Sequence, residues 1–137
     1  MPKQIVTSFN EFFQQELNCE VLVQSLYDLN HLEFSLYCSL LQLGKADVTI
    51  LMEKAGRKDR TMVNRALTSL LDKDLCMRDK KSQPGQRGYW YIYSATPLII
   101  LKKKLLRKLE KWYDYTTDAI MGIEERFDEV YGSINNK

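Results

Sequence analysis

The stretch GRKDRTMVNRAL, residues 56–67, predicts a tight turn that leads into an amphipathic helix with a basic outer face. Asp59 is a favourable N-cap for a helix over residues 60–73. Apolar residues in that helix recur at spacings of three and four, which predicts one buried face: Met62, Val63, Ala66, Leu67, Leu70 and Leu71. The opposite face then carries Arg60, Thr61, Asn64, Arg65 and Thr68.

Three further helices are predicted on the N-terminal side of this stretch. Ser8 and Glu11 fit a capping box, and apolar spacing then predicts a helix from residue 9 to about 28. Asn30 offers an N-cap for a mostly buried helix that ends near Gly44. Asp47 opens a third, short helix, which Gly56 closes.

A hairpin is predicted after the basic helix. The segments LCMRDK (75–80) and YWYIYSA (89–95) are rich in strand-forming residues, and the KSQPGQRG segment between them contains Pro-Gly and a final glycine. The order helix, helix, basic helix, basic-tipped hairpin is that of a winged helix-turn-helix. The predicted fold is therefore mainly α with a small β-hairpin wing, flanked by an N-terminal helix and a long C-terminal helix.

The C-terminal segment predicts a long helix over residues 97–134, with Gly122 as its one weak point. Such a helix would be about 57 Å long at about 1.5 Å per residue, whereas a compact domain of this size is under about 40 Å across. Its apolar stripe would be exposed in a monomer, so we expect a second copy to cover it, and the basic first half and acidic second half favour antiparallel pairing. The expected dimer interface comprises Phe9, Phe13, Leu17, Leu105, Leu109, Trp112, Ile120, Ile123, Phe127 and Val130.

Charge is unevenly distributed along the chain, although the net charge is only +2. Residues 57–111 carry fifteen Lys or Arg against five Asp or Glu, whereas the segments on either side each have a net charge of −4. A basic middle between acidic ends favours a localised contact with a polyanion. The alternative is a solvated surface on which cations cluster by chance.

A chain of 137 residues predicts a single domain, 1–137, within which we expect an N-terminal dimerisation helix (1–29), the winged helix-turn-helix (30–95) and a C-terminal dimerisation helix (96–137).

The composition and the sequence pattern exclude several classes of protein. The start lacks the layout of a secretory signal, and apolar runs of five residues are too short to cross a membrane. Isolated cysteines at 19, 38 and 76 indicate a reducing cytoplasm and buried apolar positions. We expect no metal, no cofactor and no enzymatic activity, because no ligand set or nucleophile–base constellation is present.

Residues 31–95 resemble the DNA-binding domain of archaeal TrmB-type regulators, which are relatives of the MarR group. The resemblance rests on D-R-T-x-V-x-R-A-L at 59–67, on R-G-Y-W-Y-I-Y-S-A at 87–95 and on the following helix with Trp112 and Tyr113, and it covers roughly residues 28 to 115. It implies a dimeric transcriptional regulator. Lys58 and Asp74 depart from the usual helix-turn-helix pattern, which often has an aliphatic residue and a glycine at these places. The sequence ends before the sugar-binding domain of longer TrmB proteins, so a sugar effector is not expected and any small-molecule effector is unknown.

These observations predict a homodimeric, sequence-specific regulator that binds a pseudo-palindromic site in double-stranded DNA. Helix 60–73 would lie in the major groove, where arginine can bind guanine and asparagine can bind adenine, and the wing over residues 79–88 would contact phosphate or the minor groove. Arg65 has two further possible partners, phosphate and Asp72. The rival function is a winged-helix protein–protein adaptor in a transcription complex. The candidate DNA-binding residues are Arg57, Lys58, Arg60, Thr61, Asn64, Arg65, Thr68, Lys80, Lys81, Gln86 and Arg87.

Overall fold

The computed structural model describes residues 18–132, which form six helices and three strands. The chain divides into two compact units between Lys102 and Lys103. The elements are α1 (Cys19–Tyr27), α2 (His31–Leu43), β1 (Lys45–Ala46), α3 (Val48–Ala55), α4 (Arg60–Asp72), β2 (Cys76–Lys81), β3 (Trp90–Ala95), α5 (Leu98–Met121) and α6 (Ile123–Tyr131). A mainly helical chain with a small antiparallel sheet confirms the predicted fold class.

Short polar side chains begin each of the first four described helices. Asn30, Asp47 and Asp59 cap α2, α3 and α4, as their sequence positions predict. Asn30 and Glu33 also form a reciprocal capping box, in which each side chain accepts a hydrogen bond from the other residue's backbone N–H at 2.8 Å. The Asp59 cap fixes the start of α4, and therefore the position of its basic face.

The helix expected from residue 9 to about 28 does not pass through residue 18, which is a correction. Asn18 is extended (φ −126°, ψ 164°), and its side chain accepts a hydrogen bond from the Val21 N–H at 2.9 Å, so α1 begins at Cys19. An asparagine N-cap provides a side-chain acceptor for a backbone N–H that a continuous helix would bond to a backbone carbonyl. This favours the start of a new helix at this position. The proposed capping box at Ser8 and the residues Phe9, Phe13 and Leu17 lie outside the described part of the chain.

The core of the first unit forms where α2, α3 and α4 pack together. Leu36, Tyr37 and Leu40 of α2 and Leu51 of α3 are at most 1% exposed. The predicted apolar face of α4 supplies Val63, Ala66, Leu67 and Leu70 to this core, which confirms the orientation of that helix. Two members of the predicted face are not fully buried, because Met62 lies at its edge and is 48% exposed while Leu71 is half-buried.

The sheet has three strands in the order β1-β3-β2, and both pairings are antiparallel. The sequence predicts the β2–β3 hairpin but not β1, which is only two residues long and too short to show a periodic pattern. At the tip of the hairpin, the Gln86 N–H donates to the Gln83 carbonyl at 3.1 Å, and Gly85 has φ 80°. Proline at the second position and a left-handed glycine at the third are typical of a type II turn.

An aspartate two residues after the end of α4 takes the conformation usually assigned to glycine. Asp74 has φ 58°, and the following Leu75 N–H donates to the Leu70 carbonyl at 2.9 Å. The Asp74 carbonyl also accepts a hydrogen bond from the Thr96 hydroxyl at 2.9 Å. This departure from the helix-turn-helix pattern therefore preserves the usual glycine geometry, because aspartate tolerates the left-handed region better than most residues do.

Tyr37 joins α2 to the end of the wing through a buried hydrogen bond, in which its hydroxyl donates to the Thr96 carbonyl at 2.8 Å. We expect Tyr37→Phe to lower the free energy of unfolding by about 1–3 kcal/mol, because the Thr96 carbonyl loses a donor in a buried place. Urea denaturation at neutral pH measures this loss. Tyr115→Phe is the matched control, because Tyr115 is 81% exposed and its hydroxyl contributes nothing to the core.

The same tyrosine makes stability depend on pH under alkaline conditions. Burial, followed by the nearby Cys38 and Tyr27, raises the pKa of Tyr37 from 10.0 to about 12. The unfolded chain loses the Tyr37 hydroxyl proton at lower pH than the folded chain. The stability that this protonated hydroxyl contributes is therefore complete below pH 10 and is lost as pH rises toward 12. In Tyr37→Phe the free energy of unfolding should therefore decline less steeply as pH rises through the alkaline range. A decline and a neutral-pH stability identical to those of wild type would contradict the role of this residue.

The single helix expected over residues 97–134 is two helices in the structure, α5 and α6, separated by Gly122. Gly122 has φ −95° and ψ 16°, although its N–H still donates to the Asp118 carbonyl and its carbonyl still accepts from the Arg126 N–H, both at 3.1 Å. Glycine is the least costly residue at which a helix can depart from regular dihedral angles. The predicted weak point is therefore where the helix is interrupted.

Candidate nucleic-acid interface

A cleft of about 340 Å³ lies between the polar face of α4 and the wing. Arg60, Asn64 and Thr68 of α4 line one side, because a spacing of four residues stacks them along one face. The other side is formed by Arg78 of β2 and by the aromatic residues of the β3 segment, and residues at the start of α3 also line the cleft. The remaining lining residues are Asp47, Val48, Thr49, Tyr89, Trp90, Tyr91 and Tyr93.

All eleven candidate DNA-binding residues are exposed in the structure. Within residues 18–132, the cations among them that lie on α4 and in the turn before it make no ion pair with a carboxylate. An exposed cation without an intramolecular partner keeps its full charge for an external anion. The turn residues Arg57 and Lys58 line a second, shallower depression of about 520 Å³ together with Arg60.

The structure separates the α4 candidates into two groups. Arg60, Asn64 and Thr68 line the cleft, whereas Arg65 lines a different depression of about 230 Å³ beside Asn30 and Glu33. The alternative pairing of Arg65 with Asp72 is not found in the described part of the chain. Thr61 is exposed but belongs to neither lining.

Thr68 is the most restricted of the cleft residues on α4. Its hydroxyl donates a hydrogen bond to the Asn64 carbonyl at 2.9 Å. That bond uses the only proton of the hydroxyl, so Thr68 retains acceptor capacity alone. Arg60 and the Asn64 side-chain amide are the groups of this face that can donate hydrogen bonds to an external acceptor.

The wing strands place alternate side chains on opposite faces. Arg78 and Lys80 of β2 lie on the face that carries Tyr91 and Tyr89, with the guanidinium carbon and the ammonium nitrogen each 4.0 Å from a ring centroid. Lys81 is one residue further along the strand, opposite Trp90, and therefore lies on the other face. The predicted pair Lys80 and Lys81 is thus divided between the two faces of the wing.

Arg78 was missed by the sequence analysis, although it contributes to the wall of the cleft. The period of two in β2 could have indicated this residue, because Arg78 and Lys80 share a face with the alternating tyrosines of β3. Without the strand register, that pattern does not show which strand face turns toward α4. The wing aromatics are divided between core and surface, since Tyr93 is 3% exposed and Tyr89 is 56% exposed.

The cysteines differ from one another in exposure. Cys76 is buried, Cys38 is intermediate and Cys19 is exposed, so the expectation of buried cysteines is wrong for Cys19. Burial raises the pKa of the Cys76 thiol to about 12 despite the opposing effect of the Arg78 charge, and burial followed by the Glu20 charge raises the pKa of the Cys38 thiol. A protonated thiol is a weak nucleophile, so Cys38 and Cys76 are poorly suited to sense oxidants.

Residues 18–132 contain no cluster of three or more His, Cys, Asp or Glu side chains that could hold a metal ion. None of the helices in this part of the chain combines the length and the apolar character needed to cross a membrane.

Comparison with known proteins connects this architecture with a family. The family model described as the sugar-specific transcriptional regulator TrmB matches residues 23–98. An uncharacterized protein of Methanocaldococcus jannaschii is 32% identical over 99 residues, which cover 72% of this chain and 80% of that relative. A second uncharacterized protein of the same organism is 28% identical over 91 residues, covering 66% and 67% of the two chains.

Two solved structures are similar in fold. A possible transcriptional regulator from Methanosarcina mazei Go1 has a TM-score of 0.69 at 19% identity, over 78% of this chain and 89% of that one. A protein from the thermoacidophilic archaeon Sulfolobus tokodaii has a TM-score of 0.59 at 16% identity, over 71% and 93% of the two chains. Because the family model spans more than half of the residues, and the first relative matches over most of both chains, the chain belongs to the TrmB family of transcriptional regulators.

Proposed function

We propose that the protein is a homodimeric regulator that binds double-stranded DNA in a sequence-specific manner, with α4 in the major groove and the wing on phosphate or in the minor groove. The observation that carries this proposal is the cleft in which the polar face of α4 and the basic, aromatic face of the wing meet. Both walls carry an arginine, and the α4 wall adds an asparagine amide that can read a base edge. A protein adaptor does not require positive charge on both elements.

The roles of the candidate residues follow from their positions. Arg60 and Asn64 are the proposed base-reading residues, because they can donate from the cleft-facing side of α4. The remaining exposed cations and polar residues contact the sugar–phosphate backbone, where position matters more than base identity. These backbone contacts comprise Arg57, Lys58, Thr61, Arg65, Lys80, Lys81, Gln86 and Arg87, whereas Thr68, whose hydroxyl proton is bonded to the Asn64 carbonyl, can only accept a hydrogen bond, for example from a base amino group.

The homodimer part of the proposal rests on the C-terminal unit. From Leu106 to Val130 large apolar residues recur at steps of three, four or seven residues, which fit the 3.5-residue period of a coiled-coil seam. The large apolar side chains of this seam are between 45% and 64% exposed. Such a contiguous apolar surface is uncommon on a monomer. The seam comprises Leu106, Leu109, Tyr113, Ile120, Ile123, Phe127 and Val130.

Charge complementarity favours a second copy of this chain as the occupant of the seam. The first part of α5 contains Lys102, Lys103, Lys104, Arg107, Lys108 and Lys111, whereas residues 112–131 contain six acidic side chains and one basic side chain. Two antiparallel copies would place each basic segment beside the acidic segment of its partner. Of the interface residues predicted from the sequence, Leu105 and Trp112 are half-buried in the single chain, while Leu109, Ile120, Ile123, Phe127 and Val130 are exposed and belong to the seam.

A salt titration of DNA binding tests the proposed function against the adaptor alternative. The site would first be identified by genomic immunoprecipitation, and the affinity for that duplex would then be measured by fluorescence anisotropy between 50 and 200 mM salt. We expect the affinity to fall by about 10³- to 10⁵-fold if six to ten phosphates are contacted. Retention on a heparin column should fall in parallel. Binding that is absent or indifferent to salt would favour the adaptor.

A further inference from the structure

Three tyrosines form an interlocked series along one face of β3 and the residue before it, and we call this series the tyrosine ladder (Tyr89, Tyr91 and Tyr93). The ring centroids of Tyr89 and Tyr91 are 5.4 Å apart, and those of Tyr91 and Tyr93 are 6.3 Å apart, both in edge-to-face geometry. Tyr93 is 3% exposed and belongs to the core, whereas Tyr89 is 56% exposed. The ladder therefore extends from the core to the outer part of the wing, and each ring restricts the next.

Two cations of β2 rest on this ladder. The Arg78 guanidinium carbon lies 4.0 Å from the Tyr91 centroid, and the Lys80 ammonium lies 4.0 Å from the Tyr89 centroid. A neutral ring restricts the orientation of a cation without cancelling its charge, which distinguishes this contact from an ion pair. A guanidinium held over a ring face also keeps its N–H donors for hydrogen bonds to an external acceptor. Arg78 is therefore oriented, charged and able to form a bidentate contact.

The position of Arg78 indicates what it would bind. Arg78 and Tyr91 line the same cleft as Arg60 and Asn64 of α4. If α4 occupies a major groove and the wing reaches the neighbouring minor groove, the sugar–phosphate strand that separates these grooves must pass between helix and wing. That strand would lie over the cleft, where phosphate oxygens accept hydrogen bonds from arginine.

We propose that Arg78, oriented by Tyr91, is a phosphate-binding residue for the DNA strand that passes between α4 and the wing, and that the tyrosine ladder positions it. Lys80 on Tyr89 extends the same contact toward the tip of the wing. The inference rests on the proposed function, because it names a contact within the same DNA complex. It makes the tyrosines positioning residues rather than a stacking platform for single-stranded bases.

The experiment compares variants of Arg78 and Tyr91 in the salt titration described above. Arg78→Met removes one phosphate contact, so the slope of log affinity against log salt should become shallower by about 0.9, and affinity should fall by about 10- to 100-fold. Arg78→Lys should keep the slope and lose affinity, because it retains the charge without the planar fork. Lys45→Met is the matched control, since it removes one exposed cation of the same unit that does not line the cleft.

Variants of Tyr91 test the positioning role separately from charge. Tyr91→Leu should leave the salt slope unchanged and weaken binding by about 2- to 5-fold, whereas Tyr91→Phe keeps the ring face and should restore wild-type affinity. If Arg78→Met behaves like Lys45→Met, the phosphate contact is overturned; if Tyr91→Leu matches wild type, the positioning role is overturned. A wild-type chain that binds no duplex overturns the proposed function and this inference together.

Discussion

Ile123→Glu is expected to convert the dimer into monomers and to weaken binding to the specific site by about 10²- to 10⁴-fold. Ile123 lies in the apolar seam near the start of α6 and is 48% exposed in the single chain. A carboxylate there would be buried beside the apolar side chains of the second copy, where an unpaired charge is strongly disfavoured. Loss of the dimer removes the second DNA half-site contact, so the gain from linked binding disappears. Sedimentation velocity at micromolar concentration measures the first effect, and anisotropy measures the second.

Tyr115→Glu provides the matched control for this substitution. Tyr115 is 81% exposed and lies off the seam, so the same charge at this position should leave the dimer intact. Leu109→Glu, at the other end of the seam, should reproduce the effect of Ile123→Glu. A wild-type chain that sediments as a stable monomer would remove the dimer from the proposed function, as would a mapped DNA site that is a single short, asymmetric element.

Features that depend on local chemistry could be predicted from the sequence. Asn30, Asp47 and Asp59 cap the helices that their positions predict, because an N-cap requires only a short polar side chain three residues before a backbone donor. The buried face of α4 follows from its apolar period. The hairpin follows from its turn residues, with Gly85 in the left-handed conformation that its Pro-Gly signal predicts.

Features that depend on contacts between distant segments could not be predicted in this way. Strand β1 exists because Lys45 and Ala46 pair with Ser94 and Tyr93 of β3. A two-residue segment is too short to carry a sequence pattern that predicts this pairing. The role of Arg78 depends equally on register, since its neighbour Tyr91 lies thirteen positions away on another strand. The start of α1 could not be predicted for a different reason. The apolar period is continuous through residue 18, but the Asn18 side chain caps a helix that begins at Cys19.

Arg60→Ala and Asn64→Ala are each expected to cost about 1–3 kcal/mol at the preferred site and to relax its sequence specificity. Both side chains line the cleft from α4, and each can form a bidentate contact with a base edge. Affinity should therefore fall at the preferred duplex much more than at unrelated duplexes. Arg60→Lys sharpens this test, because it should keep the salt slope while losing the preference for guanine.

The wing should respond differently to substitution. Lys80→Ala combined with Lys81→Ala should weaken all duplexes alike and make the salt slope shallower by about 1.8, because two phosphate contacts are lost. Competition between the mapped site and scrambled duplexes, repeated for each variant, separates the two classes of effect. If the double wing variant changed the preferred sequence while the α4 variants did not, the wing would be the element that reads bases, and α4 would only hold the protein on the backbone.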